Sequence, residues 1–411
     1  MRFMKLAIAL AGGGSKGSYQ VGFWKALREL GISFDIVTGT SIGAVNGALM
    51  VQDDFDKAVR LWKTATAETI MNHGINLTND IDYYFEHRDQ LLSFAKDYAS
   101  CRGADITPYR EKLDEDLNEA AFFASPVDYA LMTVRFPSMQ PVEVRKADVA
   151  PGYLPKWVLA SSSCFPAFPL CDIDGQTYID GGYVDNLPIS AAFRLGAERV
   201  IAVGLKPGVS EKKYTNHPLV TYIEPSRPLG MFLDFDRETL DRNFELGYVD
   251  TMRVLGRYFG KTYAFRPEGK ALLERAAQQY LLWLLQRELS PADSAVGVMV
   301  ERFAGETPLS DRILQNQSSG LLDCACTGLE CLLETLGYPR EQAYDLHTLL
   351  PELHAALLSE TPNPALEQAR ELCTTLGKEH LIAQITPVVP MYDAQELFLA
   401  TLLLYVQERA E

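Results

Sequence analysis

Ser41 lies in Gly39-Thr40-Ser41-Ile42-Gly43, a Gly-X-Ser-X-Gly pentapeptide with the apolar run "FDIVT" before it and "AVNGALMV" after it. Small residues on either side of a serine permit a sharp strand-to-helix turn that projects Oγ above the edge of a sheet, the arrangement of a nucleophile elbow. A serine hydroxyl is a weak nucleophile by itself. Attack on an ester carbonyl also builds an oxyanion that needs amide donors about 3 Å away, each worth roughly 3 kcal/mol. Gly12-Gly13-Gly14-Ser15-Lys16-Gly17 can supply them, because a glycine run costs conformational entropy and is kept where backbone turns sharply or comes close to another group. The remaining need is a base. In the order serine, acid, histidine, His217, in "TNHPLV", is the one histidine beyond the acid that still falls in the strand-and-helix part of the chain, and its setting is unconvincing. His73 and His87 occupy polar, tyrosine-rich sequence, and His347, His354 and His380 fall in helical stretches far beyond. Asp180 is the better candidate. It closes the strand "QTYID", and Gly181-Gly182 turns the chain away so that the carboxylate can face Ser41, with burial raising its affinity for a proton. Asp185-Asn186 followed by Pro188 reads as a helix start, which makes Asp185 a cap.

These residues need particular elements to hold them. "MKLAIALA" is of strand length, and "SYQVGFWKALRELG" carries Val21, Trp24, Leu27 and Leu30 at helical spacing with Gly31 as a stop, so the glycine loop joins a strand to a helix. The same frame serves phosphate loops, but spacing argues against them. A Walker loop needs Lys-Ser/Thr after its last glycine, whereas Lys16 precedes Gly17. Gly12, Gly14 and Gly17 satisfy Gly-X-Gly-X-X-Gly, yet the acidic residue at the right distance, Asp35, opens the second strand instead of closing it. Further on, "ALMTVRF", "VEVRKA", "RVIAVGL" and "VTYIE" read as strands and "PISAAFRLGA" as a helix, which predicts a parallel-rich sheet between helices.

Taken in order and spacing, the glycine loop, the Gly39–Gly43 elbow and Asp180-Gly181-Gly182 resemble the patatin-like phospholipase family. "GADITPYREKL" (103–113), "ASSSCFPAFPL" (160–170), "IEPSRPLGMFLDFD" and "LGYVDTMR" extend the resemblance over about residues 5–256. Gly182 stands where many members carry alanine. The resemblance implies an α/β fold, a three-layer core with a mostly parallel sheet, and a lipid acyl hydrolase. Within it, Ser41 would be the nucleophile, Asp180 the proton acceptor, and the amides of Gly12, Gly13, Gly14 and Ile42 the oxyanion donors, with no metal or cofactor. A general carboxylesterase or thioesterase is the rival enzyme, and a noncatalytic nucleotide- or lipid-binding scaffold the rival of another class.

Composition sets bounds. The chain has 411 residues, 47% of them hydrophobic, enough for two domains. A net charge of −16 argues against nucleic acid and against electrostatic docking on anionic lipid, so membrane-surface contact would be apolar and transient. Seven cysteines without metal spacing suit a reducing cytoplasm, with Cys324 and Cys331 expected in a core. "LAIALA" behind Arg2 and Lys5 mimics a signal peptide, but its removal would delete the first strand. No run approaches the length of a membrane span. The expected division is a catalytic domain over 1–258, with 71–102 as a lid or insert, and a helical domain over 259–411, where only 7 of the 29 glycines lie beyond Phe265. In that second domain "YDAQELFLATLLLYVQ" opens with Asp393 three residues before Glu396, like a capping box, and is apolar almost all round. It must be covered by core, lipid or a second copy, and the equally apolar "YLLWLL" (280–285) favours core.

Overall fold

A strand buried on both faces must be apolar along its whole length, and Leu6–Leu10 (β1) meets that demand with Ala7, Ile8, Ala9 and Leu10 fully buried. It is the centre of the sheet in a computed structural model that describes residues 4–76, 103–208, 212–214, 216–288, 320–359, 363–377 and 394–410. β1 pairs in parallel with Ile36–Thr40 (β2) on one side and, on the other, with Arg199–Val203 (β7), which is followed by Val220–Ile223 (β8). Beyond β2 comes Asp128–Arg135 (β3), again parallel, which takes Gln140–Arg145 (β4) antiparallel along one edge. Cys171–Ile173 (β5) and Gln176–Asp180 (β6) form an antiparallel hairpin that completes the eight-stranded sheet.

The register on β3 positions the chemistry. β2 runs along the first half of β3 and ends with Thr40 opposite Met132, while β6 pairs antiparallel with the second half and ends with Asp180 opposite Thr133. Since β4 occupies the other edge of β3 at these residues, β2 and β6 share one edge and meet end to end. The residue after Thr40 is Ser41.

Helices flank the sheet. Ser18–Glu29 (α1), Ile42–Val51 (α2), Phe55–Thr64 (α3) and Ala67–Ile70 (α4) follow the first two strands. Thr107–Asp116 (α5), Glu119–Ala124 (α6), Leu154–Ser162 (α7), Ile189–Arg194 (α8) and Arg237–Val254 (α9) come later. α1 and α9 pack through glycine. A Cβ on Gly22 would lie 1.8 Å from the carbonyl oxygen of Phe244, and one on Gly247 2.0 Å from that of Tyr19. Beside this crossing the buried Asp250 accepts from Tyr19 Oη at 3.1 Å and from Arg253 at 2.9 Å.

The chain divides into Met1–Leu255 and Gly256–Glu411. The second unit is mainly helical: Lys270–Glu288 (α10), Leu321–Thr335 (α11), Leu346–Leu358 (α12), Pro364–Gly377 (α13) and Ala394–Ala410 (α14), with a two-residue strand pair. "YLLWLL" falls in α10 and packs on α14 as its composition demands. Tyr280 and Thr401 hydroxyls are 2.7 Å apart, and Tyr405 stands edge-on to Tyr280 and Trp283. Leu397, Ala400 and Leu403 are buried. Cys324 and Cys331 are only half-buried, whereas Cys326, two residues on from Cys324 and so on the opposite side of α11, is the buried thiol of that helix. Most of the 71–102 segment, together with His87, Cys101, His380 and Asp393, lies outside the described residues. Among the described residues no helix is long and apolar enough to cross a membrane.

Candidate active site

Ser41 has φ 56° and ψ −125°, a backbone conformation that L-residues avoid and that costs on the order of 1–3 kcal/mol. The strain is held by its neighbours. Its N–H donates to Ser161 Oγ at 2.9 Å, and Ser161 Oγ in turn donates to the Met132 carbonyl at 2.6 Å. Its carbonyl accepts from Ala44 at 2.9 Å and Val45 at 3.3 Å, which starts α2 directly at the elbow. Ser41 and the first helical turn are thus one rigid piece.

The carboxylate of Asp180 accepts the Gly182 amide at 2.7 Å and shares a cavity wall with Ser41, near enough for the Ser41 side chain to act on its proton affinity. Burial pushes the Asp180 carboxyl up to about 6, and the Ser41 side chain and the Gly182 amide oppose that rise without cancelling it. The Asp180 amide donates to the Ser163 carbonyl at 2.9 Å. The last turn of α7 and the residue after it therefore hold both partners, Ser41 through Ser161 and Asp180 through Ser163. Thr133 reinforces the same junction by donating to the carbonyls of Ile179 at 2.8 Å and Ala160 at 3.2 Å. Composition marked "ASSSCFPAFPL" only as a block. That its serines form this bracket depends on α7 lying against β3 and β6, contacts distant in sequence.

The glycine loop runs beside the elbow. A Cβ on Gly12 would stand 2.9 Å from Ser41 Cβ and 2.6 Å from Asn186 Oδ1, so only glycine passes there. The Gly12 peptide is itself engaged on both sides. Its N–H donates to the Asn186 carbonyl at 3.0 Å, and its carbonyl accepts Asn186 Nδ2 at 3.2 Å. This alters the expected oxyanion set: the Gly12 amide is a strut to the Asp180 turn, not an available donor. Gly14 and Ile42 open their helices, so their amides have no intrahelical carbonyl to meet, and Gly13 immediately precedes that turn. Asn46 of α2 fixes the loop from the other side by donating to the Gly17 carbonyl at 3.0 Å and to Gln20 at 2.9 Å while accepting from Trp62 at 3.0 Å. Spacing in the sequence offered no signal for Asn46, Asn186 or Ser161.

Above Ser41 opens a cavity of about 770 Å³. Ser41, Asp180 and Gly12–Gly14 contribute to its wall together with Leu49, Leu113, Leu117, Trp62 and Phe168, and a buried Tyr109–Ser162 hydroxyl pair at 2.9 Å. Such a surface accepts a long apolar group and puts a carbonyl against the hydroxyl. His217 is elsewhere: its ring packs against Phe193 and Tyr214, and its Nδ1 accepts the Leu219 amide at 3.3 Å. Asp185 does not cap α8, whose start at Ile189 has no side-chain cap. Its backbone instead closes the turn after Asp180, the amide donating to the Gly181 carbonyl at 2.9 Å and the carbonyl accepting from Thr40 Oγ1 at 2.8 Å, and burial raises the proton affinity of its carboxyl.

Residues 8–193 match the family model described as Patatin-like phospholipase. Patatin-like phospholipase domain-containing protein 7 of Rattus norvegicus is 31% identical over 201 residues, 48% of this chain and 13% of that protein. Lysophospholipase nte1 of Aspergillus terreus is 30% identical over 199 residues, 48% of this chain and 12% of that protein. The chain therefore spans about an eighth of the length of these relatives. Among solved structures, VipD from Legionella pneumophila aligns over 98% of this chain and 91% of its own with a TM-score of 0.41 and 13% identity. Over residues 8–193, then, this chain is similar to the patatin-like phospholipase family.

Proposed function

We propose that the N-terminal unit is a serine acyl hydrolase that cleaves carboxylic esters of phospholipids or lysophospholipids through a Ser41–Asp180 dyad. The observation that carries this reading is the convergence of Ser41, in its strained elbow, and the buried Asp180 carboxyl on the wall of one apolar cavity. Ser41 Oγ attacks the ester carbonyl carbon while its proton passes to Asp180. The oxyanion is met by the amides of Gly13, Gly14 and Ile42. Collapse breaks the bond to the alkoxy oxygen, which leaves with the proton from Asp180, and an acyl group remains on Ser41. Water then gives its proton to Asp180 and attacks the acyl carbonyl, releasing a fatty acid and returning the proton to Ser41.

The names of the relatives support the substrate class: one is a lysophospholipase, and another, 30% identical over 206 residues, is the neuropathy target esterase sws of Drosophila melanogaster. The cavity supports a lipid over a small ester, since an apolar wall of this extent is wasted on a short acyl group. Tyr183, Met231 and Phe232 line its mouth and are partly exposed, which suits brief apolar contact with a lipid surface by a chain of charge −16. The six described cysteines are unbridged, in keeping with the cytoplasm as the place of action. Labelling by a fluorophosphonate tests the covalent step. Wild-type protein is expected to label and to release fatty acid from a lysophospholipid, and Ser41→Ala to do neither while melting at nearly the same temperature. Turnover by that variant would overturn the mechanism, and binding of lipid or nucleotide without any labelling would favour the scaffold.

A further inference from the structure

The wall of the Ser41 cavity carries charges that ester cleavage does not use. Lys16, at the end of the glycine loop, and Lys206, shortly after β7, both line it. Lys112, a third lysine on the wall, is matched by Glu115 at 3.6 Å and Asp116 at 3.3 Å. Lys16 and Lys206 have no ion-pair partner among the described residues, they line the same cavity, and repulsion from Lys206 adds to burial in making Lys16 easier to deprotonate. Such a pair is unexpected on a chain with 54 acidic and 38 basic residues. Here two cations converge on an apolar hollow beside Ser41. An anion placed between them would remove the repulsion and regain the electrostatic energy lost on partial burial.

On the reading of the site as a lipid ester hydrolase, we propose that Lys16 and Lys206 form a subsite for a phosphate head group that carries no cation of its own. The favoured substrate is then an acyl ester of the lysophosphatidate or phosphatidylglycerol type, in preference to a choline lipid or a neutral acylglycerol. A phosphocholine brings its own ammonium, which competes for the phosphate and meets like charge at the rim. The negative field of the whole chain does not oppose this choice, because at physiological salt it is screened beyond about 8 Å, while contact charges in a half-buried site are screened much less.

The test uses the full chain with two sub-micellar probes of equal acyl length, 1-acyl lysophosphatidate and 1-acyl lysophosphatidylcholine, so that surface charge plays no part. The expected result is a kcat/KM ratio favouring the phosphate monoester at least tenfold. Lys206→Gln should cut that ratio about tenfold, mainly through KM, and Lys206→Arg should keep it. Lys206 is exposed, so neither change disturbs packing. Calorimetric titration of both probes into Ser41→Ala reads binding without turnover and should show the same preference. Equal turnover of both lipids, or a ratio untouched by Lys206→Gln, overturns the subsite and leaves the hydrolase standing. Selective binding of lysophosphatidate that Lys206→Gln abolishes, with no turnover of either lipid by wild type, upholds the subsite and rejects the hydrolase.

Discussion

Burial, which pushes the Asp180 carboxyl from its ordinary 3.8 up to about 6, ties the catalytic role proposed for it to stability at one residue. The folded state holds the proton more tightly than the unfolded chain does. The resulting stabilisation is full below pH 3.8 and is lost as the pH rises through about 6, so at neutral pH the ionised Asp180 destabilises the fold by on the order of 3 kcal/mol. Asp180→Asn is therefore expected to raise the melting temperature at pH 7 while lowering kcat by orders of magnitude, because asparagine keeps the shape and cannot take the proton. For wild type, kcat/KM should fall about tenfold per unit below pH 6, the slope of a single ionisation. His217→Ala should retain most activity; the opposite ranking of the two variants would show that the base has been misassigned. Ser161 acts one step back. Without its hydroxyl, the Ser41 amide loses its acceptor in a strained turn, at a cost of about 1–3 kcal/mol. Ser161→Ala is expected to lower kcat and the rate of fluorophosphonate labelling about 10- to 100-fold, by the same energy scale, with KM nearly constant. Ser161→Thr, which keeps the oxygen, should recover much of that loss, and an unchanged kcat in the alanine variant would remove Ser161 from the positioning scheme.

Among the elements, the decisive arrangement is two strands ending against one another on the same edge of β3. β2 delivers Ser41 and β6 delivers Asp180 because Thr40 and Asp180 sit opposite consecutive residues, Met132 and Thr133. A slip of one residue in β6 would turn its side chains to the other face and carry the carboxylate away from the hydroxyl. The α1–α9 crossing serves the same site from behind, since α1 begins where the glycine loop ends. Gly22→Ala would place a methyl 1.8 Å from a backbone oxygen that cannot rotate aside. We expect it to destabilise the N-terminal unit by about 3 kcal/mol, the upper end of overpacking costs, lowering its melting temperature by about 6–12 °C. A melting curve that superimposes on wild type would mean that the helices separate freely.

On the scale of the whole molecule, two units with separate cores follow different rules. In the second, α14 buries apolar residues around most of its circumference, and its Thr401 is bonded to Tyr280 of α10. Removal of residues 392–411 should strip the cover from α10 and leave a protein that aggregates and loses helical circular dichroism. A truncated protein that stayed folded and monomeric but lost vesicle binding would make that helix a lipid contact instead. The sequence alone sufficed for the strand order of chemistry along the chain: a glycine loop after the first strand, an elbow serine after the second, and an aspartate closing a later one. Each of these is local, because a turn, a helix start or a strand end is dictated by residues within a few positions of it. Apolar pattern likewise marked β1, β2, β7 and the α10–α14 pair. Tertiary structure alone decided which partners those residues acquired. It placed His217 against Phe193, engaged the Gly12 amide with Asn186, set Asp185 inside a turn, and made Ser161 and Ser163 the common support of Ser41 and Asp180. It also set two lysines, one before α1 and one after β7, on the wall of a single cavity. Such choices depend on which distant backbone atoms remain unpaired once the sheet has formed, and hydrogen bonds between residues more than a hundred positions apart leave no periodicity along the chain to be read in advance.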